Sequence, residues 1–197
     1  LFVGHWLQGD FGEDRKNVGQ TIATFLSTFK GKKNKPALIL KTSHGSPSIM
    51  DKHEVQKKIS QITEMVGGKD LPNVYLLHGE FNDEDMNNRY NHPKVKCMVY
   101  LGKGEGYGRP LAEFTQAKKP IIASEWSGHI DFLPKESTMY IPGEVKQIHP
   151  SAVVQNMLIP ESSWFAPSMG HAAVAMKDMF DNYKKYVDNG KRLAYNV

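Results

Sequence analysis

The stretch Gly102-Lys103-Gly104-Glu105-Gly106-Tyr107-Gly108-Arg109-Pro110-Leu111-Ala112-Glu113 constrains this chain more than any other. Four glycines at alternate positions follow an apolar run (Val95, Cys97, Val99, Leu101) and enter a segment with helical spacing, Leu111, Phe114 and Ala117. Glycine lets a backbone approach a ligand closely and adopt dihedrals closed to other residues. A helix start offers unpaired amides and the positive end of its dipole, so strand, glycine loop and helix together predict an anion site. Glu105 inside the loop and Glu113 on the helix bracket that site, which calls for chemistry beyond phosphate binding. The spacing is not the dinucleotide fingerprint, because Tyr107 stands where its third glycine belongs, and it lacks the Gly-Lys-Ser/Thr of a P-loop.

The rest of the chain alternates strands and helices. Residues 1–4, 37–40, 74–77, 120–123 and 138–141 read as strands, with the run before Gly102 as another. Between them lie helical faces: Val18, Ile22, Phe25, Leu26 and Phe29; then Val55, Ile59, Ile62 and Val66, ended by Gly67-Gly68; then Met86 and Tyr90 behind an Asn82 cap. The helix after the glycine loop is expected over residues 110–117, with Pro110 at its first position. Residues 143–163 show no period, and Ser168 caps a last helix whose inner face is Met169, Ala172, Ala173, Met176, Phe180, Tyr183 and Val187. This alternation predicts a Rossmann-like α/β fold, a parallel sheet with helices on both faces. Ligands of such sheets sit outside the carboxyl ends of the strands. The loops at 5–16, 42–47, 78–81, 102–108 and 124–128 should therefore converge on one crevice.

Composition narrows the partners. The net charge of +4 is compatible with a phosphate-bearing small ligand and too small to imply nucleic acid. Cys97 is the single cysteine, which rules out an internal disulfide and suits a reducing cytosol. No run reaches the ~20 apolar residues of a transmembrane helix. Asp83-Glu84-Asp85 opens a helix, where capping chemistry accounts for it, and the eight histidines lack metal-ligand spacing, so no metal is expected. Ser43-His44 and Ser127 with His129 suggest hydrolase parts but come without a Gly-x-Ser-x-Gly elbow. The chain opens inside an apolar strand with no lead-in, as a piece of a longer polypeptide would.

The run Glu-Gly-Tyr-Gly-Arg-Pro-Leu-Ala-Glu, followed by Ala-Lys-Lys-Pro-Ile-Ile-Ala-Ser and Ser-Gly-His-Ile-Asp-Phe-Leu, resembles the donor-binding half of retaining GT-B glycosyltransferases, specifically the glycosyl transferases group 1 (family 4) class. Its hallmark is two glutamates separated by seven residues, with Gly-aromatic-Gly after the first. The resemblance extends over essentially the whole chain, from Phe2-Val3-Gly4 and Lys16-Asn17 to Trp164 and Pro167. It implies that residues 1–197 form one nucleotide-sugar-binding domain, half of a GT-B fold, closed by a C-terminal helical segment over 164–197. The N-terminal acceptor domain would be missing from this chain.

By position, the resemblance assigns Glu105 to hydroxyls of the donor sugar and the amides of Gly106, Tyr107 and Gly108 to its surroundings. The amides of Arg109 and Leu111 would face the distal phosphate, and Glu113 would hold the ribose. Lys16 would neutralise the diphosphate leaving group, making Glu105 and Lys16 the catalytic pair. The family pairs that lysine with an arginine directly after Gly4; this chain has His5 there, with Arg15 as a candidate substitute. Gly79 and Phe81 match the loop that flanks the base. Implied partners are a nucleotide-diphosphate sugar (UDP or GDP type), an acceptor that is a glycan, lipid or protein, and the N-terminal domain, with no cofactor or metal. The place implied is the cytosol, or a membrane's cytosolic face reached through the missing domain. The isolated domain is expected to bind donor without transferring sugar. Two alternatives are a GT-B-like sugar-nucleotide epimerase and a non-catalytic nucleotide- or polyanion-binding module.

Overall fold

A computed structural model describes residues 1–197 apart from Gln8, Asn196 and Val197. In chain order the first half contains β1 (Phe2–Val3), α1 (Val18–Phe29), β2 (Leu38–Lys41), α2 (Ile49–Met65), β3 (Val74–Leu77) and α3 (Asp83–Asn91). The second half contains β4 (Met98–Tyr100), α4 (Arg109–Thr115), β5 (Ile121–Ser124), β6 (Met139–Ile141), β7 (Gly143–Gln147), β8 (Ser163–Pro167), α5 (Met169–Asp181) and α6 (Tyr183–Leu193).

Two parallel ladders, β1-β2-β3 and β4-β5-β6, are joined edge to edge. The Leu1 amino group donates to the Cys97 carbonyl at 2.8 Å, and the Val99 amide donates to the Leu1 carbonyl at 2.9 Å. The sheet therefore runs 3-2-1-4-5-6, and the order reverses between β1 and β4. A crevice opens above such a reversal because the two neighbouring connections leave in opposite directions. Every residue of β4 and of β5 is buried, since helices cover both faces. This is why Met98 and Tyr100 join the core alongside Val99, instead of the alternation that Val95, Cys97, Val99 and Leu101 predict.

The amphipathic reading of α1 holds. Val18, Ile22, Phe25, Leu26 and Phe29 are all buried, against α2 and α5. Its start is held by Asp14, whose Oδ2 accepts the Val18 amide at 3.0 Å, while Asn17 takes a left-handed turn (φ 56°). Three expectations change. The helix after the glycine loop is short, covering Arg109–Thr115 rather than 110–117. Residues 143–163 are not all irregular: β7 pairs antiparallel with β8 and encloses a small cluster of Ile148, Ala152 and Trp164. The last helix breaks at Asn182, which resets its phase. Ala175 and Met179 are buried on α5 in place of Ala173 and Phe180, and Tyr186, Gly190 and Leu193 on α6 in place of Tyr183 and Val187. Gly190 lies so close to the Lys118–Lys119 backbone that a Cβ there would collide with it. Among the described residues, no helix is long and apolar enough to cross a membrane.

Candidate functional site

The loops after β1 and β4 cross at the β1/β4 reversal. The Lys103 amide donates to the Arg15 carbonyl at 2.8 Å, and the Arg15 guanidinium donates to the Gly104 carbonyl at 2.5 Å. The loop after β5 grips the glycine loop from the other side. Ser127 Oγ accepts the Glu105 amide at 2.9 Å and donates to the Glu105 carbonyl at 2.5 Å, and the Gly128 amide donates to the same carbonyl at 3.1 Å. Ser127 holds a φ of 83°, a strained value for a residue with a side chain. Three of the five loops expected at one edge thus meet at Glu105.

The four glycines divide by role. A Cβ on Gly102 would overlap the Tyr100 phenol, and Gly108 turns at φ 90° to start α4, so these two shape the loop. A Cβ on Gly104 or Gly106 would meet nothing within 4 Å. Those two leave the crevice wall bare, as close approach of a ligand to backbone requires. The amides of Gly106, Tyr107, Gly108 and Arg109 have no acceptor among the described residues. The Leu111 amide is already committed to the Gly108 carbonyl at 2.8 Å, which removes it from the expected phosphate-facing set. The Leu111 side chain is core, and the Tyr107 ring is exposed against Phe132 at 4.9 Å.

Lys16 and Glu105 meet directly in an ion pair through Glu105 Oε2, with 12% and 15% of their side chains exposed. Tyr100 completes the group: its hydroxyl donates to the same Oε2 at 3.0 Å and lies 3.5 Å from Lys16 Nζ. Arg15 stands 3.8 Å from that oxygen. Burial alone would raise the Glu105 pKa, but the Lys16 ammonium, the Tyr100 hydroxyl and Arg15 together hold it below the usual carboxylate range. Burial lowers the pKa of Lys16, and Glu105 opposes the fall. Gly4 lies beside this group, since a Cβ there would stand 3.6 Å from Lys16 Cδ.

Glu113 is held at both oxygens. Tyr90, buried on α3, donates to Oε2 at 3.0 Å, and the exposed Arg109 side chain pairs with Oε1 at 2.9 Å. Of the two candidates for the family's arginine, Arg15 reaches the glycine loop, whereas His5 turns away to Ser43 Oγ at 3.0 Å. Gly79 and Phe81 sit above β3, two strands from β1. The Gly79 carbonyl accepts Lys41 Nζ at 2.9 Å, and the Phe81 ring lies between Lys41 (5.1 Å) and Arg89 (4.6 Å). No contact links either residue to Glu105 among the described residues.

Sequence reasoning missed several members of this site. Tyr100 reads as one more apolar strand residue; its signal was the side-chain-free Gly102 two positions on, on the same strand face. Ser127 and His129 suggested hydrolase parts, yet they do not bond each other. Ser127 fixes the Glu105 backbone, and buried His129 donates from Nε2 to the Ser124 carbonyl at 2.7 Å. That bond leaves Nδ1 as a lone pair without a partner, and burial lowers the His129 pKa. His129 also stands edge-on to the Tyr100 ring at 5.5 Å.

No family model and no curated protein matches this sequence. Solved structures do. The C-terminal domain of a glycosyl transferase group 1 family protein, LpcC, from Francisella tularensis superposes with a TM-score of 0.65 at 14% identity, over 98% of this chain and 84% of that one. Anabaena HepE in complex with UDP and glucose gives a TM-score of 0.58 at 13% identity, over 98% of this chain and 43% of that one. An E. coli trehalose-6-phosphate protein bound with UDP-2-fluoro glucose gives 0.58 at 11% identity, over 100% and 40%. The chain therefore spans about two fifths of the two larger neighbours. Its fold is that of the C-terminal, Rossmann-like half of a GT-B glycosyltransferase.

Proposed function

We propose that this chain is the donor-binding domain of a glycosyltransferase that uses a nucleoside-diphosphate sugar and retains the configuration of the transferred sugar. The observation that carries the reading is the meeting of Lys16 and Glu105 at the β1/β4 reversal, beneath a glycine loop whose Gly104 and Gly106 faces are open. Breaking a sugar–phosphate bond leaves negative charge on the diphosphate, which a preorganised cation and amides stabilise best in a site that excludes water. Lys16 and Arg15 supply the charge from the β1 side, and the free amides of Gly106, Tyr107, Gly108 and Arg109 supply donors from the β4 side, so no metal ion is required. Glu105 Oε1, which has no hydrogen-bond or ion-pair partner among the described residues, accepts a hydroxyl of the transferred sugar. Glu113 accepts from the ribose once the exposed Arg109 side chain yields. HepE, whose structure holds UDP and glucose, shares this fold and supports the nucleotide-sugar reading.

Transfer itself calls for a second, N-terminal domain that brings an acceptor (a glycan, lipid or protein) and closes over the crevice. The 197-residue chain alone then binds donor and transfers sugar poorly or not at all. Calorimetric titration with UDP-, GDP- and ADP-glucose tests this. One of the three is expected to bind, and Lys16→Ala should lower its affinity by roughly tenfold or more, the scale of a lost charge-assisted contact. No binding by any member of the panel overturns the reading.

A further inference from the structure

The two glutamates share a feature that the sequence does not display. Each accepts a hydrogen bond from a buried tyrosine at 3.0 Å, on one carboxylate oxygen only: Tyr100 on Glu105 Oε2 and Tyr90 on Glu113 Oε2. The two tyrosines are 4% and 3% exposed, and they come from different elements, β4 and α3. Neither ring is free to swing. Tyr100 fills the space that Gly102 leaves empty, against the His129 ring at 5.5 Å, and Tyr90 stands edge-on to Phe114 at 5.7 Å. Burial, reinforced by the facing carboxylate, raises both phenol pKa values, which keeps each tyrosine a hydrogen-bond donor.

A carboxylate fixed at one oxygen presents the lone pairs of the other in a set direction. Among the described residues Glu105 Oε1 has no hydrogen-bond partner, and Glu113 Oε1 pairs with Arg109 alone, whose side chain is 81% exposed. An exposed i,i+4 pair of that kind is weak, because water screens it and the long side chain loses rotamer freedom in making it, so a ligand displaces it easily. We infer that Tyr100 and Tyr90 are positioning residues, Tyr100 aiming Glu105 Oε1 at the transferred sugar and Tyr90 aiming Glu113 Oε1 at the ribose diol. This rests on the donor-site reading proposed above.

The test uses the wild-type chain, Tyr100→Phe and Tyr90→Phe, each titrated calorimetrically. The probes are whichever of UDP, GDP and ADP binds, its glucose conjugate, and its 2′,3′-dideoxy analogue. Two ratios are read: the Kd of the diphosphate against its glucose conjugate, and the Kd of the dideoxy analogue against the parent. Tyr100→Phe should lower the first ratio by about tenfold and leave the second unchanged; Tyr90→Phe should do the reverse, each having lost one hydrogen bond to a charged group. In a Glu113→Ala background, Tyr90→Phe should change neither ratio further, because a residue acting through the Glu113 carboxylate has nothing left to act on. A variant that lowers both ratios together has a merely structural role, and one that leaves its own ratio intact has none; either result overturns the inference while the donor site stands. A wild-type chain that binds none of the three diphosphates overturns the donor reading, and this inference with it.

Discussion

At the residue scale, the glycines of the loop over residues 102–108 are not interchangeable. Gly102 is empty so that the Tyr100 ring can pass beneath the loop, whereas Gly104 faces open crevice. Gly102→Ala should destabilise the fold by ~1–3 kcal/mol through overpacking, seen as a lowered thermal midpoint. Gly104→Ala should melt with the parent and bind nucleotide more weakly, because its new methyl projects where the ligand must come close. A second residue-scale consequence concerns the ion pair. Lys16 is paired with Glu105, so on the proposed donor-site reading a diphosphate competes with that carboxylate for the ammonium. Glu105→Gln should therefore bind the diphosphate at least as tightly as the parent in calorimetry, while the added affinity of the glucose conjugate falls. The sequence singles out Glu105 and Glu113 by their spacing around a glycine loop, and Lys16 only through the family resemblance. Tyr90 and Ser127 are not marked there, because nothing local distinguishes a packing tyrosine or a loop serine from one that supports a carboxylate, and Tyr100 is marked only by the side-chain-free Gly102 two positions on.

At the element scale, one aspartate ties the loops after β2 and β3 to a helix. Asp51, in the first turn of α2, accepts the His44 amide at 2.9 Å, the Ser46 amide at 2.9 Å and His78 Nε2 at 2.6 Å. It thereby fastens the loops after β2 and β3 together. Burial alone would raise its pKa, but His78 and the two amides outweigh that and hold it down at about 2. A carboxyl group depressed below its unfolded value of ~3.9 stabilises the fold fully above that value and loses the contribution as pH falls towards the folded pKa. The melting temperature of the parent should exceed that of Asp51→Asn above about pH 4, and the gap should close on acidification towards pH 2. Equal gaps at pH 5 and near pH 2 would contradict the assignment. Helix existence was legible at this scale, and helix phase was not always so: the break at Asn182 shifts the buried set on α5 and α6. Apolar spacing carries no signal for where a continuous-looking helix stops when no glycine or proline marks the place.

At the scale of the whole molecule, two three-stranded parallel sheets are joined through the backbone bonds of Leu1, while β7 and β8 form a separate two-stranded unit with its own small cluster. This unit joins the site through Lys103: the Phe165 amide donates to the Lys103 carbonyl at 3.0 Å, and Lys103 Nζ lies 4.4 Å from the centre of the Trp164 ring. All five residues of β7 are exposed. Regions with little burial and exposed backbone bonds open at lower free energy than core strands. Amides of β7 should exchange with deuterium well before those of β4 and β5, and protection in β7 equal to that of the central strands would refute the separation.

The lysine far away in the chain was reached only through a family resemblance, whereas the sequence by itself determined the alternation of strands and helices, hence a parallel sheet covered on both faces, and marked the loop with its two glutamates. Those are local matters of periodicity, turn chemistry and residue type. Only the tertiary structure decided which strands are neighbours. The two bonds between Leu1 and the β4 strand place β1 beside β4, and that adjacency turns residues 89 positions apart, Lys16 and Glu105, into an ion pair. The same adjacency sets Arg15 on Gly104. Contacts of that kind arise from chain crossing, which no window of sequence contains.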